Sequence, residues 1–419
     1  MRTCDAPQID VLPIMLTTYY PKLSETFIFD FVRILATRTR TPQVMSLLEA
    51  DDVRTMDLED QAPTAKFSIK PQVPLATTTR GYAQLPTWAR QLLLAQSACA
   101  YDVRQITAKL EQLLAQRMSV LHVHFLSPPG TIAATLLERQ ASPSVLELHG
   151  YDVFRIARSM PDSSYQVLRR FDKIIVNSEY MRRMLCEEME GMDRRPELDI
   201  VVVPPGIDLA KVRRAGCDHP KSPDHVQYKL VTVGRLIEKK GVHVLLEALP
   251  VLLQSQPETV LHIVGSGPEE QKLSRYVERC GLERNVVFHG ALSRSMTLEI
   301  VCDADIFVLP CIEAKNGDLD STPIVLLEAQ ALGVPVISSR ISGVPEVVVD
   351  GGTGLLTEAG NALDLVKAIA HLCGDIDRRR AMSARARTFA YAKFCIEDRC
   401  DRVCDIYSDL RRNHHRRSR

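Results

Sequence analysis

Two cations in the second half of the chain are spaced so that they could hold a phosphorylated ligand. Residues 231–247 read VTVGRLIEKKGVHVLLE, which predicts a strand ending at Gly234, a short loop, and a helix beginning near Gly241. Glycine lets a backbone approach a ligand closely, and the unpaired N–H groups at a helix start favour anions. Arg235 and Lys240 flank the loop, so both could contact a diphosphate. A solvated loop with ordinary surface charges is the alternative.

Two carboxylates follow at a spacing that suits the binding of sugar hydroxyls. Residues 318–335 read DLDSTPIVLLEAQALGVP and place Asp320 in a loop and Glu328 eight residues later, inside the next helix. Both could face one cleft, where a charged acceptor binds a hydroxyl more strongly than a neutral one does. Acidic pairs on helices also commonly face water, so this pattern alone is weak.

Three histidines lie on or just after predicted strands. His149 ends a strand at the carboxyl edge, where open α/β sheets bind ligands, and a binding role there is as probable as a structural one. His122 and His124 alternate along one strand and point the same way. We expect them to form a satisfied, partly buried pair rather than a metal site.

Two further patterns favour structural roles over cofactor binding. Gly265-Ser266-Gly267 follows a strand but lacks the third glycine of a dinucleotide fingerprint, which argues against NAD. Asp303 and Asp305 could hold a divalent ion, but Asp305 leads directly into an apolar strand. We therefore interpret this pair as a helix-to-strand junction.

The elements that would position these residues alternate between strands and helices along most of the chain. Predicted strands are Ile9–Leu16, Gln43–Leu48, Val120–Phe125, Ser144–His149, Lys173–Val176, Asp199–Val203, Lys229–Val233, Val260–Val264, Val286–His289, Asp305–Leu309 and Pro335–Ser338. Predicted helices are Thr26–Ala36, Arg90–Gln116, Thr131–Gln140, Glu179–Met189, Val242–Gln254, Glu269–Cys280, Arg294–Cys302 and Pro323–Leu332, and further helices follow Asn361 to the end of the chain. Near-continuous apolar strands are typical of parallel sheets that are covered on both faces.

This alternation predicts an α/β protein with two doubly wound domains facing a central cleft. We expect an N-terminal domain over residues 1–212, a polar linker over 213–227, a C-terminal domain over 228–395, and a terminal helix with a basic tail over 396–419.

Composition excludes several function classes. The 419 residues carry 52 Lys and Arg against 52 Asp and Glu, and this lack of net charge argues against binding to nucleic acid. No apolar run is long enough to span a bilayer, and the eleven cysteines are scattered singly. We expect a cytoplasmic protein with reduced thiols. The tail Arg411–Arg419 contains five arginines and could contact an anionic membrane, although a solvated terminus is the simpler interpretation.

Taken together, eight segments in this order resemble the retaining glycosyltransferases of family 4, which have the two-domain GT-B fold. The segments are YPKLSETFI at 20–28, ELHGYDVF at 147–154, VNSEYMRRML at 176–185, VVPPGID at 202–208, VGRLIEKKG at 233–241, VGSGPE at 264–269, the stretch from Asp320 to Ser339, and SGVPEVVVDGGTGLL at 342–356. The start of the chain and the insert CIEAKNGD before Asp320 look closest to enzymes that assemble bacterial exopolysaccharides of the colanic acid or amylovoran type.

The resemblance implies roles for particular residues. Arg235 and Lys240 match the pair that holds the donor diphosphate, and Glu328 matches the acid that binds the nucleotide ribose. Asp320 falls where the family has Glu, near the donor sugar, and is one methylene shorter; His149 matches a histidine near the 6-position of the sugar. The donor-binding set also includes Gly234, Leu292, Pro323, Ile324 and Val325, and Ser24, Glu25 and Thr26 match an N-terminal loop of the cleft.

The function implied is transfer of a sugar from a nucleotide-diphosphate sugar to a saccharide or lipid-linked saccharide acceptor, without a metal or other cofactor. A hydrolase or epimerase of the same fold is one alternative, and a non-catalytic nucleotide-sugar-binding protein is another. The sequence does not distinguish the base, the sugar or the acceptor.

Overall fold

A computed structural model describes residues 8–19, 26–48, 65–68, 86–87, 89–90, 103–190, 198–215 and 227–417. These residues form two compact units. The first unit contains the described residues up to Pro204 together with the last helix from Ile396, and the second contains Pro205–Cys395. Most of the predicted linker, residues 213–227, lies outside the described residues.

The described strands of the first unit form one parallel sheet in the order β3-β2-β1-β4-β5-β6-β7. They are β1 Leu12–Tyr19, β2 Gln43–Leu48, β3 Ala65–Ser68, β4 Ser119–His124, β5 Ser144–Glu147, β6 Lys173–Val176 and β7 Ile200–Val202. Its helices are α1 Thr26–Arg38, α2 Val103–Leu114, α3 Thr131–Leu137, α4 Pro161–Leu168 and α5 Glu179–Glu190. Every residue of β4 and β5 is buried, as expected for central strands with both faces covered.

The second unit repeats this plan with a sheet in the order β10-β9-β8-β11-β12-β13, again parallel. Its strands are β8 Lys229–Val233, β9 Val260–Val264, β10 Val286–Gly290, β11 Ile306–Leu309, β12 Val336–Ser339 and β13 Gly354–Thr357. Its helices are α6 Leu209–Arg214, α7 Val242–Ser255, α8 Glu270–Cys280, α9 Arg294–Cys302, α10 Ile324–Ala331, α11 Val344–Val347, α12 Ala362–Gly374 and α13 Ile376–Lys393.

Alternation along the strands of the second unit produces a core on each face of its sheet. Phe307 and Leu309 pack into one cluster, with side chains of α9 and α10. Ile306 and Val308 pack into the other, with side chains of α7 and α12. Because successive side chains of a strand point to opposite faces, a fully apolar strand serves both cores.

The last helix, α14 Ile396–Arg417, belongs to the first unit and packs on α1. Arg399 donates hydrogen bonds to the carbonyls of Val203 and Pro204 and forms an ion pair with Glu147 at 2.6 Å. Cys400 and Cys404, four residues apart on this helix, are both buried.

Most of the predicted elements are confirmed, with several omissions. The sequence analysis missed β3 and β13 and the short helices α4, α6 and α11. The predicted helix over 90–116 is described only as α2, Val103–Leu114, because residues 91–102 lie outside the described part of the chain.

The structure can be compared with two further expectations, one about membrane-spanning segments and one about reduced thiols. None of the described helices is both long and apolar enough to cross a membrane. Cys302 is disulfide-bonded, so the expectation that every thiol is reduced is wrong at this residue, whereas Cys311, Cys373 and Cys400 are free.

Candidate functional site

The site residues of the second unit lie where the order of its strands reverses. β8 and β11 are neighbours, and the chain proceeds outward from them in both directions. Gly234 and Arg235 follow β8, and the loop that carries Asp320 follows β11. Loops that leave two adjacent strands in opposite directions open a crevice at the carboxyl edge of the sheet, the usual ligand site of doubly wound folds.

Glycines allow the loops at this edge to pack backbone against backbone. A Cβ on Gly265 would lie 2.0 Å from the carbonyl oxygen of Gly234, and one on Gly241 would lie 1.9 Å from that of Pro310. Both glycines have positive φ angles, which other residues rarely adopt. The backbone of the loop 234–241 is therefore fixed in place by contacts that any side chain would disrupt.

Lys240 and Asp320 form a close ion pair at this edge. Their Nζ and Oδ2 atoms are 2.6 Å apart, and Lys239 approaches the other carboxylate oxygen at 3.4 Å. Lys239 also pairs with Asp318 at 3.1 Å. Two lysines and two aspartates thus join the loop after β8 to the loop before α10.

Burial and the neighbouring charges shift the pKa values of Lys240 and Asp320 in opposite directions, and the neighbouring charges together have the larger effect. Burial alone would lower the pKa of Lys240, but the carboxylate of Asp320 raises it above its usual value. Burial would raise the pKa of Asp320, but Lys240 and Lys239 hold it below its usual value. Both groups are therefore charged near neutral pH.

Arg235 stands next to this pair but is exposed, and it forms no ion pair within the described residues. Its positive charge acts on Lys240 and opposes that residue's raised pKa. An exposed guanidinium beside a partly buried ammonium is an arrangement that a diphosphate would neutralise.

Glu328 lies in α10 and is almost fully buried. Its Oε1 atom is held by Arg294 Nη2 at 2.6 Å. Pro323 occupies the N-cap position of α10, with Ile324 and Val325 in the first turn. Ile324, Val325 and Leu292 are partly buried against the core, so each has surface left to contact a ligand.

His149 lies in the first unit, just after β5. Its backbone N–H donates to Asp152 Oδ2 at 2.8 Å, and Asp152 Oδ1 accepts from the backbone N–H of Leu126 at 2.9 Å. Its ring packs on Phe125 with centroids 4.5 Å apart. Burial lowers the pKa of His149 to about 4, so the imidazole is neutral at physiological pH.

Two of the interpretations of minor motifs can be compared with the structure. Asp303 and Asp305 lie between α9 and β11 and bind Lys229, one through its ammonium and one through its backbone N–H, which confirms the helix-to-strand junction. The expectation of a satisfied, partly buried His122–His124 pair is wrong, because both side chains are fully buried and each has an unpartnered Nε2 atom.

The predicted N-terminal loop lies outside the described residues, apart from its last residue. Ser24 and Glu25 lie outside the described residues, and of Thr26 only the backbone at the start of α1 is described.

Sequence reasoning missed the residues that hold the candidate site residues in place. Lys239, Asp318 and Arg294 have no signal of their own, because charged residues near a motif usually face water. Asp152 could have been noticed, since an acid three residues after a strand-end histidine can accept that residue's backbone N–H.

These features define a class of protein: an α/β protein with two Rossmann-like units and a cluster of charged side chains at the carboxyl edge of the second sheet. Comparison of the sequence with models of known protein families agrees with this class. Residues 218–389 match the model of "Glycosyl transferases group 1", and residues 72–211 match that of "Glycosyltransferase Family 4". The chain belongs to this glycosyltransferase family and is an enzyme that transfers hexosyl groups.

The chain is also similar in sequence to individual glycosyltransferases. The chain is 27% identical to the putative colanic acid biosynthesis glycosyltransferase WcaL of Escherichia coli, over 88% of this chain and 92% of the relative. It is 30% identical to a GDP-mannose-dependent α-(1-6)-phosphatidylinositol monomannoside mannosyltransferase of Mycolicibacterium smegmatis, over 64% of this chain and 70% of the relative.

Solved structures confirm the GT-B fold. HepE of Anabaena, solved in complex with UDP and glucose, superposes with a TM-score of 0.70 at 17% identity, covering 94% of this chain and 99% of that one. Sucrose-phosphate synthase of Thermosynechococcus elongatus superposes with a TM-score of 0.71, also at 17% identity, covering 95% and 99%.

Proposed function

We propose that this glycosyltransferase moves a sugar from a nucleoside-diphosphate sugar to a saccharide acceptor, lipid-linked, in the assembly of a bacterial exopolysaccharide. The configuration of the anomeric carbon is retained, and the chemistry requires no metal ion. The observation that carries the proposal is the group of charges at the switch point of the second sheet: exposed Arg235, partly buried Lys240, and Asp320 paired to that lysine at 2.6 Å.

The two cations supply the electrostatic part of catalysis. Breaking the sugar–phosphate bond places negative charge on the departing diphosphate. Lys240 is fixed by its ion pair and by the loop that Gly241 anchors, so its charge needs little reorganisation when that bond breaks. Arg235 is exposed and can form two parallel hydrogen bonds to phosphate oxygens.

The carboxylates orient the donor. Asp320 is held by Lys240 and Lys239, so its oxygens keep a defined position from which to accept hydrogen bonds from sugar hydroxyls. Glu328, fixed by Arg294, is suited to accept hydrogen bonds from the ribose. The acceptor hydroxyl then attacks the anomeric carbon from the face of the leaving group, and a leaving phosphate oxygen takes its proton.

The relatives support this donor and acceptor class without choosing among its members. One acts in colanic acid biosynthesis and another is GDP-mannose-dependent and acts on a phosphatidylinositol monomannoside, while a structural neighbour was solved with UDP and glucose. UDP- and GDP-sugars are accordingly the first donors to test.

The end of α14 is the part of the chain that we propose to contact anionic lipid. Arg412 and Arg416 are exposed there, whereas His414 is tied to Asp172 and Arg411 contacts Met118. Because deletion of the tail would also remove those packing contacts, the test is the double variant Arg412→Glu, Arg416→Glu. Its binding to vesicles with anionic lipid should fall at least ~10-fold at low salt. Unchanged binding would remove the membrane role of this helix.

The donor site is tested by isothermal titration calorimetry with UDP, GDP and their sugars in metal-free buffer. One nucleotide should bind with a Kd in the micromolar range, and Glu328→Gln should weaken that binding ~10-fold or more. Glu299→Gln, at an exposed position of α9, is the matched control and should bind as the wild type does. Equal affinity in all three proteins would exclude Glu328 from the site.

A further inference from the structure

Three metal-ligating side chains meet inside the first unit, next to His149. His122 and His124 lie on β4, and Glu147 lies opposite His124 on β5. All three are buried, with relative exposures of 0%, 1% and 4%. One ligating atom of each lies within 4.8 Å of the other two.

Three buried polar atoms of these side chains have no well-formed hydrogen bond. They are Nε2 of His122, Nε2 of His124 and Oε2 of Glu147. His122 Nε2 and Glu147 Oε2 are 3.3 Å apart, which is a long contact. Buried polar atoms in such surroundings are unfavourable unless something binds them.

The remaining polar atoms of the same three side chains are all engaged. His122 Nδ1 is 2.6 Å from the hydroxyl of Tyr407, and Glu147 Oε1 accepts from Arg399 at 2.6 Å. His124 Nδ1 is 3.4 Å from His149 Nε2. This is the pattern of metal ligands, in which outer partners orient each ligand and leave one atom directed at the ion.

From this arrangement we infer that His122, His124 and Glu147 bind a divalent transition-metal ion, Zn²⁺ in the first instance. Two imidazole nitrogens and one carboxylate oxygen are a common zinc donor set. Ligand atoms around tetrahedral zinc lie ~3.4 Å apart, so the His122–Glu147 spacing already fits. The widest spacing in the cluster is within 4.8 Å, so binding of the ion requires it to shorten by at most ~1.4 Å.

The ion would stabilise the first unit rather than take part in sugar transfer. It would join β4 to β5 and, through Tyr407 and Arg399, fix α14 onto the sheet. The inference rests on the geometry of this cluster and not on the proposed function, so either can fail without the other.

The first test measures metal in the wild-type protein by inductively coupled plasma mass spectrometry. The untagged chain is purified without chelator, loaded with one equivalent of Zn²⁺ and dialysed. We expect about one zinc ion per chain, and a melting temperature that falls by ~5 °C or more when a strong chelator removes it. Less than about 0.1 equivalent after loading would overturn the inference, as would stoichiometric zinc whose removal leaves the melting temperature unchanged.

A variant then assigns the site. His124→Gln should retain less than about 0.2 equivalent, whereas His262→Gln should retain the wild-type content. His262 is a matched control, because it also stacks on a histidine of a neighbouring strand, with Nδ1 2.8 Å from His289 Nε2. Equal loss in both variants would point to non-specific binding and contradict the site.

A measurement with Co²⁺ uses only the wild-type protein and therefore does not depend on whether the His124→Gln variant folds. Wild-type protein reconstituted with Co²⁺ should absorb between about 500 and 650 nm, as four-coordinate cobalt does when it replaces zinc in a tetrahedral site. A spectrum equal to that of Co²⁺ in buffer would show that these side chains do not ligate the ion.

Discussion

Lys240 is the residue whose substitution we expect to reduce turnover most. Lys240→Ala should lower kcat by roughly 10²- to 10³-fold, because a fixed charge at the leaving group acts mainly in the transition state. Stability should fall much less, since Lys239 remains 3.4 Å from Asp320 and keeps that carboxylate paired. Steady-state kinetics and thermal unfolding measure the two effects.

The neighbouring lysine is the control for this substitution. Lys239→Ala removes the contacts with Asp318 and the longer contact with Asp320 but leaves the 2.6 Å pair intact. It should cost less in kcat than Lys240→Ala does. If the two variants lose turnover equally, or if Lys240→Ala loses folding and activity in parallel, Lys240 is a structural residue.

Asp320 should make stability depend on acid pH. Its pKa is lowered in the folded protein, so its contribution to the unfolding free energy is complete above the unfolded value of ~3.9 and disappears as pH falls through the lowered value. At pH 7, Asp320→Asn should cost about 2–4 kcal/mol, because it leaves partly buried Lys240 without its anion. This cost should be constant from pH 8 to 6 and shrink between pH 5 and 3.

Urea unfolding at several pH values measures this dependence, with Asp303→Asn as the control. Asp303 also pairs with a lysine, but its side chain is 74% exposed, so its substitution should cost less than ~1 kcal/mol at every pH. A cost for Asp320→Asn that does not change down to pH 3 would mean that the pair with Lys240 does not stabilise the fold.

The sequence indicates candidate site residues more readily than the residues that hold them. Arg235, Lys240 and Glu328 follow from motifs in which loop, helix start and charge coincide. Arg294 and Lys239 do not, because pairing with Glu328 and Asp320 depends on how distant loops meet. For the same reason the predicted environment of His122 and His124 is wrong, because the side chains that cover them come from α1 and α14, which lie far away in the chain.

Among the elements, the loops at the carboxyl edge of the second sheet depend most on glycine. Gly265→Ala should destabilise the protein by about 2–4 kcal/mol and weaken nucleotide binding, because the new Cβ would displace the backbone of Gly234. Gly281 also has a positive φ, 66° against 130° at Gly265, but a Cβ there meets no atom within 4 Å, so Gly281→Ala should cost only ~1 kcal/mol and leave binding unchanged. Chemical unfolding and calorimetry compare the two. Equal costs would show that backbone conformation, and not the close contact, matters at Gly265.

Arg399 is the side chain that anchors α14. Arg399→Ala removes two hydrogen bonds to main-chain carbonyls and leaves buried Glu147 without its cation, so the free energy of unfolding should fall by about 3–5 kcal/mol. Arg412→Ala is the control on the same helix; its pair with Asp409 is exposed, and its loss should cost less than ~0.5 kcal/mol. A cost below 1 kcal/mol for Arg399→Ala would contradict the anchoring role.

Which elements the sequence predicts depends on their place in the sheet. The central strands are confirmed because burial on both faces demands an apolar run, as in residues 306–309. The two missed strands, β3 and β13, are each four residues long and occupy edges of their sheets. An edge strand needs partners on one side only, so its composition is less constrained.

For the whole molecule, the doubly wound architecture follows from strand–helix alternation, and the GT-B family follows from the order of its motifs. The return of α14 to the first unit does not follow from the alternation, because only tertiary contacts such as those of Arg399 reveal it. The identity of the substrates follows even less from the sequence, because none of its motifs distinguishes the base, the sugar or the acceptor.

The most direct test of the central claim is turnover with and without an acceptor. Purified protein is incubated with UDP- and GDP-sugars in the presence or absence of lipid-linked saccharide, and the products are analysed by mass spectrometry and proton NMR. We predict that one donor releases its nucleoside diphosphate only with acceptor, that the new linkage keeps the donor's anomeric configuration, and that Lys240→Ala abolishes most of this release. Free or epimerised sugar formed without acceptor would instead indicate a hydrolase or epimerase, and tight nucleotide-sugar binding without any turnover would contradict the assignment of a transferase.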